Sequence, residues 1–209
     1  MRIIDLKKED PEKATLEAAR ALREGKLVAY PAESFYAIGA DAMNEDAVRA
    51  VFAAKKRDPG KPLPVIVGDT GLIGRFAAGI SEGAGKAVKE LFPGPVTLIF
   101  HASGEAPSAL TAGTGKIAIR VPLPGVASRL ALAFGGAVTA TSANISGLPG
   151  LTDPEGVAAW FPNIFMVLDG GVTPGPPVST ILDTTVSPPR IVREGALSKD
   201  AIRRVFPEI

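Results

Sequence analysis

Along the 209-residue chain, stretches with a helical spacing of apolar positions are interleaved with short continuous apolar runs. The clearest helix starts at Asp10 as N-cap with Pro11 in the first helical position, shows an apolar face at Leu16, Ala19 and Leu22, and stops at Gly25. A strand over Lys26 to Tyr30 follows, then the loop PAESFYAIGADA, a helix from Glu45 to Lys56 capped by Asn44, and a strand from Leu63 to Val67. Later apolar runs predict strands at 96–100, 117–121, 137–141, 165–168, 180–183 and 191–193, with helices near 83–91, 125–134, 154–160 and 198–206. Such mixing predicts the α/β (α+β) class, a sheet covered by helices, although the alternation is too irregular for a doubly wound fold. No repeat, heptad seam or compositional break divides the chain, so a single domain over residues 1–209 is expected.

Composition removes several chemistries. With 46% hydrophobic residues and a mean hydropathy of +0.21 the chain can bury a substantial core. Its apolar runs are too short to cross a membrane, and the opening MRIIDLKKEDPEK turns charged where a signal peptide would turn apolar, so a cytoplasmic location is expected. Zero cysteines exclude thiolate nucleophiles and cysteine-ligated metals, and the one histidine, His101, excludes multi-histidine metal sites and reads as a surface or structural residue. The formal net charge is only +1, so any basic binding surface must be local. Glycine (23) and proline (19) are scattered between the periodic segments, which specifies the loops closely.

Local charge is concentrated in KKRDPGKPLPVIV, residues 55–67. Lysines at a helix C-terminus complement its dipole, which is reason enough for their presence. Yet Lys55 and Arg57 lie two apart at the helix end, and Asp58-Pro59-Gly60 can turn Lys61 back toward them, a convergence that suits a polyanion such as a triphosphate. The Gly-Lys pairs at 85–86 and 115–116 lack the rest of a P-loop, and no GxGxxG follows a strand. VTATSANISGLPG, residues 138–150, ends a strand in Thr141, Ser142, Asn144 and Ser146; it can cradle an anion or simply be a turn. Arg120, alternating with Ile117, Ile119 and Val121, points either into a site or into solvent.

Taken together, PAESFYAIG, KKRDPGKPL, PGPVT, RVP, SANISG and STILD, in that order from residue 31 to 183, resemble the YrdC-type threonylcarbamoyl-AMP synthase family in its single-domain form. The resemblance implies a twisted mixed sheet flanked by helices, with a concave basic groove that takes L-threonine, bicarbonate and ATP with Mg2+. It implies release of threonylcarbamoyl-AMP and pyrophosphate, and transfer of the product to a partner enzyme that modifies an adenosine in tRNA. By matched positions, Lys55, Arg57 and Lys61 would be catalytic and hold the ATP phosphates, with Ser142, Asn144 and Arg193 on the nucleotide. Ser34, Arg120, Ala140 and Ser179 would line the threonine pocket, and no residue is assigned as a metal ligand. The chain departs from the family pattern at Ala32-Glu33-Ser34, at Ala37-Ile38 and at Gly150, which stands where serine is common. Two alternatives are an RNA-binding paralogue, holding double-stranded RNA or tRNA without synthesis, and a related transfer using another amino acid.

Overall fold

A computed structural model describes all residues 1–209. The strands divide into two mixed sheets. The first contains β1 (Arg2–Asp5), β2 (Val28–Pro31), β3 (Tyr36–Gly39), and further along the chain a short strand at Thr141–Ser142 and one at Met166–Asp169. The second contains β4 (Val65–Ile66), β5 (Ala77–Ala78), β6 (Val96–Ala102), β7 (Lys116–Arg120) and β8 (Val138–Thr139), then the strands Thr180–Asp183 and Arg190–Arg193. Numbered in chain order, Thr141–Ser142 is β9, Met166–Asp169 β10, Thr180–Asp183 β11 and Arg190–Arg193 β12, giving orders β1-β10-β2-β3-β9 and β12-β11-β6-β7-β4-β8 with β5 beside β6. The single strand expected at 137–141 is thus two: at Ala140 the chain leaves one sheet and enters the other.

The first sheet is apolar on both faces, which is why its strands read as continuous runs. Val28, Tyr30, Ala37, Met166 and Leu168 face a cluster completed by helices α1 (Pro11–Arg23) and α6 (Val126–Phe134); Ala29, Tyr36, Ile38 and Val167 face the larger core shared with α2 (Glu45–Lys55) and the second sheet. Between α2 and α6 lie α3 (Ile73–Phe76), α4 (Glu82–Leu91) and α5 (Ser108–Thr111), and α7 (Pro154–Trp160) and α8 (Lys199–Val205) follow. Asp10 and Asn44 cap α1 and α2 as expected, their carboxyl and amide oxygens accepting from Glu12 N at 2.9 Å and Ala47 N at 3.1 Å. Leu16 is a correction: it is 44% exposed, because α1 buries its small side chains Ala14, Ala18, Ala19 and Ala21 with Leu22 against the sheet and α6. No helix is long and apolar enough to cross a membrane.

The stretch expected as a loop after Tyr30 is a hairpin. β2 and β3 pair antiparallel in register Tyr30↔Ala37 and Pro31↔Tyr36, and Ala32 N closes the tip by donating to Phe35 O at 3.0 Å. No polar alternation betrays β3, since Tyr36, Ala37, Ile38 and Gly39 are all buried. Glycine is required at 39, where a Cβ would lie 2.8 Å from the Tyr30 ring. The strand expected over 63–67 shrinks to β4, preceded by Pro62 and Pro64, which cannot donate to a ladder.

Candidate functional site

The hairpin tip, β4, the ends of β7 and β9, and the β11–β12 pair enclose a cavity of about 450 Å³ at the junction of the two sheets. Register explains the convergence. β9 lies on β3 with Ser142 opposite Ala37, β4 lies on β7 with Ile66 opposite Arg120, and β12 lies on β11 with Arg193 opposite Ile181. Of the residues assigned from sequence, Ser34, Arg57, Arg120, Ala140, Ser142, Ser179 and Arg193 line this cavity.

Arg120 is the most constrained. Its Nε donates to Gly94 O at 3.0 Å and its Nη2 to Glu33 Oε1, an ion pair whose side chains are 14% and 29% exposed. Glu33 Oε1 also accepts from Leu123 N at 3.1 Å, whereas Glu33 Oε2 is buried without a partner. Arg193 donates from Nε and Nη2 to Ser179 O at 3.1 and 2.8 Å and from Nη2 to Ser179 Oγ at 3.1 Å. Ser179 Oγ lies in turn 3.1 Å from Thr97 Oγ1. Burial lowers the pKa of both arginines; for Arg193 the nearby Arg120 lowers it further, while for Arg120 the Glu33 carboxylate opposes the fall. Two guanidiniums thus line one cavity with a single carboxylate, which is paired with Arg120 alone, an arrangement that favours an anionic ligand. In the same lining, burial pushes the Tyr30 phenol well up, Glu33 adding to the effect, and its hydroxyl donates to Thr139 O at 3.0 Å.

The cations of 55–61 do not converge as the sequence suggested. Lys56 adopts a left-handed conformation (φ 49°) at the end of α2, and Lys56 N and Arg57 N donate back to Ala53 O and Phe52 O at 3.2 and 3.0 Å. This twist separates the neighbours. Lys55, only 1% exposed, gives its three N–H groups to Ser142 O, to Asn144 O at 2.9 Å and to Asn144 Oδ1 at 3.0 Å. Burial, reinforced by Arg57, brings its ammonium down to about 8. Arg57 reaches the cavity, steadied by its Nη2 donating to Pro62 O at 2.9 Å and Nε to Lys61 O at 3.3 Å. The Asp58 turn forms, with Gly60 N donating to Asp58 Oδ1 at 2.9 Å, but it leaves the Lys61 side chain exposed outside the cavity lining.

Lys55 and Asn144 likewise stand behind the wall. Asn144 Oδ1 also accepts from Ser142 Oγ at 2.7 Å, and Asn144 Nδ2 donates to Leu148 O at 2.6 Å, so this pair fixes the loop that presents Ser142. Ser34 is engaged too: its Oγ donates to Pro177 O at 2.6 Å and its carbonyl accepts from Gly175 N at 2.9 Å, fastening the proline-rich strap 170–179 across the hairpin tip. Tyr36 holds the other end of that strap, donating to Gly171 O at 2.8 Å and accepting from Gly170 N at 3.2 Å. Phe35 lies flat on Gly150, where a Cβ would come within 2.7 Å of the ring, so the missing serine is matched to an aromatic neighbour. Sequence reasoning gave no role to Glu33 or Thr97, although the motifs PAESFYAIG and PGPVT contained both.

No three His, Cys, Asp or Glu side chains lie together in a metal-binding group, and the one carboxylate of the cavity is committed to Arg120.

Comparison with known proteins places this geometry. The chain is 37% identical over 193 residues to the threonylcarbamoyl-AMP synthase of Pyrococcus abyssi, covering 92% of this chain and 57% of that protein. It is 36% identical over 204 residues to the threonylcarbamoyl-AMP synthase of Bacillus subtilis, covering 97% and 58%. The chain therefore spans less than three-fifths of the length of these two relatives. The crystal structure of P. abyssi Sua5 complexed with L-threonine superposes with a TM-score of 0.91 at 35% identity, covering 100% of this chain and 61% of that one. The Sua5/YciO/YrdC family model, described as telomere recombination, matches residues 20–195, and the chain belongs to that family.

Proposed function

We propose that the chain makes threonylcarbamoyl-AMP and pyrophosphate from L-threonine, bicarbonate and ATP. The observation that carries this reading is the pair Arg120 and Arg193 in one cavity with Ser179 and Arg57, in a fold matching a protein solved with L-threonine. Arg120, with two donors spent on the protein, offers the rest of its planar fork to the threonine carboxylate. Arg57 faces the phosphates, Ser142 and Arg193 the nucleotide, and the exposed Lys61 adds a solvent-screened charge at the rim. Ser34 and Ala140 shape the threonine side, Ser34 through the strap it fastens.

The reaction needs alignment more than a nucleophilic side chain. The threonine amine condenses with bicarbonate to a carbamate with loss of water; a carbamate oxygen then attacks the α-phosphorus and pyrophosphate leaves. Fixed guanidiniums neutralise the charge gathered in that step. Mg2+ would enter with ATP as part of the substrate and supply charge neutralisation on its phosphates, while the cavity's one carboxylate, Glu33, is committed to Arg120. The product would pass to a transferase acting on tRNA. The test is mass spectrometry of purified protein with ATP, L-threonine and bicarbonate: a threonylcarbamoyl-AMP peak that vanishes when threonine is omitted is expected, and its absence alongside unchanged ATP refutes the reading.

A further inference from the structure

The cavity contains one acidic side chain among its arginines, and the arrangement around it is costly. Glu33 sits at the tip of the β2–β3 hairpin with one oxygen shared by Arg120 and Leu123 N and the other buried without a partner. A buried carboxylate oxygen left unpaired lowers stability, and a plain salt bridge would satisfy both oxygens. The hairpin tip is nevertheless held in place, by Ala32 N to Phe35 O and by Ser34 to the strap. What this geometry secures is Arg120. Gly94 O takes the Nε–H and Glu33 takes one Nη2–H, so the guanidinium can neither rotate nor withdraw along its strand.

We propose that Glu33 is a positioning residue that orients the Arg120 guanidinium toward the ligand carboxylate. This rests on the threonine-pocket reading for the ligand's identity, but the orientation itself belongs to the free protein. A second role for the same residue is charge balance, and the two roles predict opposite signs. If Glu33 only balanced charge, Glu33→Leu, which also has no acceptor for Arg120, would leave the cavity more positive and tighten any carboxylate. If it orients Arg120, the same change loosens an α-amino acid despite the added positive charge, because the fork is no longer fixed. Glu33→Asp separates them again: it retains the charge but, one methylene shorter, falls away from Arg120.

The experiment measures L-threonine binding by calorimetry for the unmodified protein, Glu33→Leu and Glu33→Asp, and solvent exchange of the Arg120 Nε–H by 15N NMR without ligand. Both variants are expected to bind threonine at least tenfold more weakly, with pyrophosphate binding equal or tighter in Glu33→Leu, and Arg120 Nε–H exchange at least tenfold faster. Tighter or unchanged threonine binding in Glu33→Leu, or unaltered Nε–H exchange, overturns the proposal. If the unmodified protein binds no threonine, the functional reading fails, while the exchange rate still decides the role of Glu33.

Discussion

Replacing Lys55 by Met keeps a side chain of similar length and removes the ammonium together with its hydrogen bonds to Ser142 O, Asn144 O and Asn144 Oδ1. Two buried carbonyls then lose a donor, at about 1 to 3 kcal/mol each. Against that stands the cost of burying a cation: a pKa of about 8 in place of 10.5 corresponds at pH 7 to about 3 kcal/mol disfavouring the folded protein. The two effects largely offset each other, and Lys55→Met should destabilise by only about 0 to 3 kcal/mol at pH 7. Their pH dependences differ. Below pH 8 the lysine is charged in both the folded and unfolded chains, and the cost is constant. Between about 8 and 10.5 the unfolded chain binds more protons at this site than the folded one, so wild-type stability relative to Lys55→Met rises with pH. By pH 10 the gain should reach about 2 to 3 kcal/mol. Guanidinium unfolding of both proteins from pH 7 to 10 measures it. A difference that stays flat or falls over that range refutes the picture of Lys55 as a buried ammonium held behind the Ser142 loop.

Other outcomes follow from named contacts. Lys56→Gly relieves a left-handed non-glycine residue at the end of α2 and should add about 1 kcal/mol, seen as a melting temperature higher by roughly 2 to 4 °C. Gly150→Ser drives a Cβ into the Phe35 ring and should cost about 1 to 3 kcal/mol, largely recovered in the Phe35→Ala/Gly150→Ser double variant; additive losses in a double-mutant cycle would contradict direct contact. Arg57→Ala should abolish threonine-dependent pyrophosphate release with little change in melting temperature, and unchanged turnover would remove Arg57 from the site. Lys116→Met strips the 2.9 Å ion pair from the buried Asp183, a carboxyl that burial raises but the bonds from Thr185 and Lys116 together hold below its usual range. Stability present at neutral pH and lost as pH falls through that lowered pKa should therefore shrink in Lys116→Met, measured as a flatter acid-unfolding profile.

Legibility from sequence followed the physics of each segment. Helices α1 and α2 announced themselves because their caps and stop signals are local, whereas the buried side of α1 did not: the sheet and α6 select its small alanines and leave Leu16 outside. The β2–β3 hairpin was hidden because a strand buried on both faces has no alternation, and YAIG reads equally as a packed loop. Six motifs brought the right segments to one cavity, since β pairing joins residues as distant as Ile181 and Arg193 or Ile66 and Arg120. What sequence spacing could not supply is direction. The left-handed Lys56 sends Lys55 behind the wall and Arg57 into the cavity, a division set by one φ angle, and the unpaired oxygen of Glu33 exists only in three dimensions.

The strap 170–179 joins β10 in one sheet to β11 in the other while being tied to the hairpin at Tyr36 and Ser34. It is a second tie between the two sheets beside the Glu33–Arg120 pair: Pro177, whose carbonyl accepts from Ser34 at the hairpin tip, stands two residues before Ser179, which Arg193 holds. A substitution at the tip should therefore register at Arg193 through the backbone of the strap as well as at Arg120 through Glu33.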